Sequence, residues 1–153
     1  MKSNYLRHFV TVCICVSAVL GSKTAAAQSA APCSLLTSAQ ITAAVGVSVG
    51  AAQPIANTGC SWTAPHMIVS LSLWDGSKWD KMKTPAPGMN RTSVSGLGDD
   101  AFYTTMGPAS GKQMATLSVK KGGTAYLIKV YGPDVAQQMS MEKTLAGSVL
   151  ASL

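Results

Sequence analysis

The stretch that decides the fold is Gln113–Tyr131, QMATLSVKKGGTAYLIKVY. Two runs rich in β-branched and aromatic residues flank Gly122-Gly123. A Gly-Gly pair between such runs favours a tight two-residue hairpin turn, because both positions tolerate the left-handed backbone that the turn demands. Counting outward from the turn sets Val119 opposite Tyr126, Leu117 opposite Ile128 and Ala115 opposite Val130. Lys120, Ser118, Thr116 and Lys129 then share the other face. One dry face and one wet face predict an antiparallel sheet covered on one side.

Upstream, GCSWTAPHMIVSLSLW at 59–74 has the same character. Met67, Val69, Leu71 and Leu73 alternate. A turn centred on Pro65-His66 pairs Trp62 with Val69 and Cys60 with Leu71, which keeps the apolar members on one side. AFYTTM at 101–106 adds a strand, and GPASGK at 107–112 reads as a turn. Residues 47–58 and 84–93 carry Gly, Pro, Ala and Asn without periodicity and read as connections.

Three helices are expected. In CSLLTSAQITAAVG, Thr37 and Gln40 form a capping box, and Gly46 suits the left-handed residue that ends a helix. Ser77–Lys83 has room for one or two turns. PDVAQQMSMEKTLAGSVLASL places Val135, Met139, Ala146, Val149, Leu150 and Leu153 on one stripe. The whole reads as α+β: an antiparallel sheet of about five strands, one face covered by helices, in two hairpin-plus-helix halves.

The first 27 residues read as a signal peptide. Lys2, Arg7 and His8 precede an apolar run from Phe9 to Gly21, and Ala25-Ala26-Ala27 offers a small-residue cleavage site. The run is about 13 residues, short of the roughly 20 that cross a bilayer. Residues 28–153 then form a single α+β domain that is periplasmic or secreted, with no stable membrane insertion. Loss of Lys2, Arg7 and Lys23 leaves nine basic against six acidic residues, or +3. With Lys120-Lys121 as the one adjacent basic pair, no basic stripe favours nucleic acid.

Cys33 and Cys60 remain after cleavage. An even pair in an exported chain reads as a disulfide, worth roughly 3–4 kcal/mol for a loop of about 28 residues. A metal pair or free thiols suit an oxidising compartment less well, and no histidine lies near either cysteine in sequence.

Taken in order, Cys33–Thr37, Cys60–Trp62, Gly96–Ala101, Leu117–Gly123 and Thr144–Leu153 resemble the motifs of a group of small exported, often lipid-anchored bacterial proteins of unknown function. The resemblance spans nearly the whole chain after the leader. It implies a small α+β sandwich of the Mog1/PsbP-like type and no catalytic residues. The chain departs from that group in lacking a lipobox, since Val12 precedes Cys13 and Ile14 precedes Cys15.

Few residues invite chemistry. Asp99 and Asp100 follow Gly96-Leu97-Gly98, and successive strand residues point to opposite faces, so the pair reads as a turn leading into a strand rather than a metal or acid/base site. His66 is the one histidine after the leader and falls at a hairpin tip, a poor place for a triad base. H-E-x-x-H and P-loop motifs are missing from the sequence. No cofactor, metal or catalytic residue is expected. Trp74 and Trp79, with Tyr103 near, are the candidate contact surface for an envelope protein or a small ligand, with structural packing as the plainer reading. The expectation is therefore a non-enzymatic binding or accessory module. The alternative is a periplasmic copper-handling protein using His66, Met67, Met139 and Met141. Core filling is the plainer reading of those methionines, and an enzyme of unidentified class ranks third.

Overall fold

The computed structural model describes residues 31–106 and 114–153. The expected leader, 1–27, and the expected turn at 107–112 lie outside the described residues.

A one-turn 3-10 segment, Pro32–Ser34, carries Cys33 and leads into α1, Ser38–Val45. The capping box is formed: Thr37 accepts from the Gln40 N–H, and the Gln40 side chain accepts from the Thr37 N–H. Gly46 ends α1 at φ 77°. The strands follow: β1 Gln53–Ile55, β2 Gly59–Ala64, β3 Met67–Asp75, β4 Met89–Ser93, β5 Asp100–Met106, β6 Ala115–Lys121 and β7 Thr124–Tyr131. A 3-10 turn at Gly76–Lys78 runs into the single-turn α2, Trp79–Met82. The last helix, α3, spans Val135–Ser152, with Asp134 capping it by accepting from the Gln137 N–H.

All seven strands form one antiparallel sheet in the order β1-β2-β3-β7-β6-β5-β4. Seven replaces the expected five because β1 and β4 are edge strands with every side chain exposed. Strands solvated on both sides show no alternation, and Pro54 is tolerated because an edge strand has a free N–H side. The halves are also unequal. The helix after β3 is a single turn on the face opposite α1 and α3, and it belongs to the crossover that carries the chain to the far edge.

The inner face holds the main core. Trp62, Leu71, Leu117, Val119, Tyr126 and Ile128 pack under Ile41 and Val45 of α1 and Leu145, Ala146 and Val149 of α3. The β2–β3 register is the expected one, Trp62 with Val69 and Cys60 with Leu71. Cys33 and Cys60 are bridged, tying the segment before α1 to the sheet. In α3 the stripe is shifted from expectation: Leu145 is fully buried, while Leu153 is exposed.

The outer face is covered only in part. Trp79, Phe102 and Ala125 form a small separate cluster with Met82 against it. The rest of that face, including Ser70, Ser72 and Trp74 on β3, is not roofed by any helix of the described residues.

Candidate functional site

The two ends of the β6–β7 hairpin are built differently, and the chemistry-bearing side chains gather at them. At the turn end, Gly98 has φ 59°, and a Cβ there would collide with the Lys120 carbonyl oxygen. Only glycine lets the loop lie this close to β6. Asp99 donates its N–H to that same carbonyl at 2.8 Å. Its carboxylate accepts from the Gly122 N–H at 2.6 Å and meets the Lys121 ammonium at 3.4 Å. The Gly122 N–H, followed by the charge of Lys121, holds the Asp99 carboxyl below the usual range. Asp100 points the other way, accepting from the Trp79 indole N–H at 2.8 Å. The neighbouring aspartates thus converge on no common ion or proton. Each grips a distant partner: Asp99 the next hairpin, Asp100 the crossover. Gly96, at φ 78°, makes the bend that brings both into place.

At the opposite end the ladder breaks. Pairing between β6 and β7 stops at Leu117–Ile128. Hydrogen-bonded and non-bonded pairs alternate in an antiparallel ladder, so the next bonded pair should be Ala115–Val130, as the sequence led one to expect. That pair does not form. The Ala115 N–H donates to Gln138 Oε1 at 2.9 Å, and the Val130 N–H donates to Glu142 Oε1 at 3.0 Å. Two side chains one helical turn apart on α3 have taken the place of the backbone rung. Gln138 is anchored in turn by donating its amide to the Pro133 carbonyl at 2.7 Å. β6 remains paired to β5 and β7 to β3 on either side of the split.

Glu142 is fully buried, at 0% exposure. Burial pushes its carboxyl up to about 7, against weaker opposing pulls from the Val130 and Leu117 N–H groups and the Lys129 charge. Among the described residues, its Oε2 and the Trp62 Nε1 are the buried side-chain polar atoms without a hydrogen-bond partner. Tyr103, on β5, donates to the Met139 carbonyl of α3. Burial, helped by the Glu142 charge, raises its phenol to about 12. Tyr126 donates to the Ala146 carbonyl at 3.0 Å, and burial raises its phenol as well.

The aromatic residues do not form the single surface expected of them. Trp79 is 3% exposed, its ring 5.1 Å from that of Phe102, and it packs the outer-face cluster. Tyr103 is 5% exposed and sits in the core on the inner face. An indole used to close a cluster and a phenol used to anchor a helix offer no ring face to a partner. Trp74 alone, 50% exposed, remains available.

The soft side chains are also placed. Met67, Met139 and Met141 are half-buried and pack against the main core. His66, at φ 61°, and Met67 line a shallow depression of about 370 Å³ with Thr63, Ala64, Ile68, Tyr131 and Gly132. Among the described residues no group of three or more His, Cys, Asp or Glu side chains stands ready to hold a metal ion, and no helix is long and apolar enough to cross a membrane.

Gln138 and Glu142 were not singled out by sequence reasoning. The signal was present: Gln138, Glu142, Leu145 and Val149 follow a 4-3-4 spacing that shares one helix face. Polar residues at the first two positions disguised it. Comparison of the chain with protein-family models, with curated proteins and with solved structures gave no match.

Proposed function

We propose that this chain is an exported, non-enzymatic binding or accessory module that works through a surface rather than a catalytic pocket. The observation that carries the reading is the asymmetry of the sheet. Its inner face is closed by α1, α3 and the Cys33–Cys60 bridge, whereas the outer face presents β3 with Trp74 at 50% exposure and Ile68 at 44%. Large rings at a surface supply contact area at small entropic cost. The disulfide supports an oxidising compartment, periplasmic or extracellular, and the basic, then apolar, then small-residue leader supports export. The resemblance to small exported α+β bacterial proteins points the same way. Against catalysis stands the placement of the one carboxyl with a strongly raised pKa: Glu142 is sealed between strands and helix, not set in the depression beside His66.

Affinity capture from envelope extract tests the reading, with wild-type protein and the Trp74→Ala variant immobilised side by side. A half-exposed tryptophan outside the core should leave the melting temperature within a few degrees. The expected result is a retained partner or ligand that the variant retains several-fold less. Equal retention by both proteins would remove the outer face as the working surface.

A further inference from the structure

We propose that Glu142 is a pH-sensitive latch, holding the first half of α3 in the split between β6 and β7 when its carboxyl is neutral and loosening that hold when the carboxyl is ionised. The proposal rests on the geometry of the split. The rung that should join Ala115 to Val130 is replaced by Gln138 and Glu142. Gln138 is neutral and both ends of its amide are bonded. Glu142 is ionisable and only its Oε1 finds a donor of good geometry, while Oε2 is buried without one. A neutral carboxylic acid satisfies the Val130 N–H at little cost. A carboxylate in the same place is a buried charge supported mainly by backbone N–H groups, and burying a charge without a partner is strongly unfavourable.

The groups facing this carboxyl do not rescue it. From β5 comes the Tyr103 phenol, which gives its proton to the Met139 carbonyl rather than to Glu142. From β7 come Tyr126, bonded to Ala146, and Lys129, whose charge acts weakly on the carboxyl. β6 turns its lysines, Lys120 and Lys121, toward the turn end. α1, packed against α3 from the other side, carries no ionisable side chain. On α3 itself the charged neighbours are Lys143, which is exposed, and the cap Asp134. Among the described residues Glu142 makes no ion pair.

The alternative arrangement is defined by the ladder. If the Glu142 side chain withdraws, the Val130 N–H is freed directly, and the Ala115 N–H follows as the loosened helix draws Gln138 away; both are groups that the next rung of β6 and β7 would otherwise have used. The split with α3 docked and the split with α3 loosened and its N–H groups open to water are two states of the same elements. Proton binding favours the first. The carboxyl rises to about 7, so the balance moves within the range an envelope or extracellular fluid visits.

The test is an NMR titration of the purified protein from pH 5 to pH 9. It follows the Glu142 side-chain carboxyl carbon together with the exchange protection of the Val130 and Ala115 amides, corrected for the intrinsic pH dependence of exchange. The expected outcome is a carboxyl midpoint near pH 7, with Val130 protection falling tenfold or more across the titration. Amides of the turn end, Asp99 and Gly122, should change little. In Glu142→Gln, which keeps an oxygen for the Val130 N–H but cannot ionise, protection should remain at its low-pH level throughout. A carboxyl midpoint below pH 5, or the same loss of protection in Glu142→Gln, overturns the proposal. Should that variant fail to fold, the carboxyl midpoint in the wild-type protein still decides.

Discussion

Strands β6 and β7 are one hairpin held in two ways. At the turn end the hold is backbone and solvent-facing: Gly98 lets the loop touch β6, and Asp99 caps the turn with a half-exposed carboxylate. At the split end the hold is side chain and buried: Gln138 and Glu142 reach from α3 to take the N–H groups that the ladder leaves open. Both ends use an acid to bind a backbone N–H, yet the two acids move in opposite directions. The Asp99 carboxyl is held below its usual range by its hydrogen bond, and the Glu142 carboxyl is pushed above it by burial. The same bond between carboxyl and amide favours the charged form at both ends, but where water is excluded the cost of burying the charge outweighs it.

The comparison is broken most severely at Trp79. This indole closes the outer-face cluster and hangs from Asp100, so Trp79→Ala should cost about 3–5 kcal/mol. Urea denaturation would measure it. A loss well under 1 kcal/mol would mean that the crossover contributes nothing to the turn end.

The opposite signs of the two acids are sharpened by pH. A carboxyl raised in the folded state contributes stability that is fully present below its unfolded pKa and is lost as pH rises through the folded one. For Glu142 that window runs from the ordinary glutamate value of 4.5 to about 7. By linkage the loss approaches about 3 kcal/mol by pH 8 as an upper bound. Asp99 has the reverse sign: its contribution is present above the unfolded pKa and fades as pH falls below it, outside the Glu142 window. Melting temperature should therefore fall from pH 5 to pH 8 in the wild-type protein and stay nearly level in Glu142→Gln. A rise over the same interval would contradict the assignment.

A smaller effect is expected from Gly98→Ala. The left-handed backbone and the contact with the Lys120 carbonyl together should cost about 1–3 kcal/mol. Chemical denaturation would show whether the loss exceeds that of Gly96→Ala, because a Cβ at Gly96 meets open space. Smallest of all is Asp99→Asn. Its side chain is half-exposed, an amide oxygen still accepts from Gly122, and the Lys121 contact is screened by water, so the midpoint of denaturation should barely move.

Much of this was legible in the sequence, and the illegible parts share a cause. Gly122-Gly123 set the hairpin register, and it holds as far as Leu117–Ile128. Thr37 and Gln40 announced α1, and an even pair of cysteines outside the expected leader announced their bridge. β1 and β4 were missed because strands exposed on both faces carry no hydrophobic period. Trp79 could not be told from a surface residue because nothing local shows that Phe102, 23 positions on, would cover it. Gln138 and Glu142 were passed over because polar residues on a helix ordinarily face water, and their burial depends on a rung missing from two distant strands. Local pattern specifies elements; the exchange of a backbone partner for a side-chain partner is settled only when the elements meet.

The most direct test of this account lies at the rung itself. Hydrogen exchange at pH 6 would be followed for the Ala115 amide in wild-type protein and in Gln138→Ala, with Asp99 and Gly122 as references from the turn end. Loss of one buried hydrogen bond should reduce Ala115 protection about tenfold and leave the references unchanged. An Ala115 amide as protected in the variant as in the wild type, or a loosening shared equally by both ends, would contradict the claim that α3 side chains close the sheet where its backbone does not.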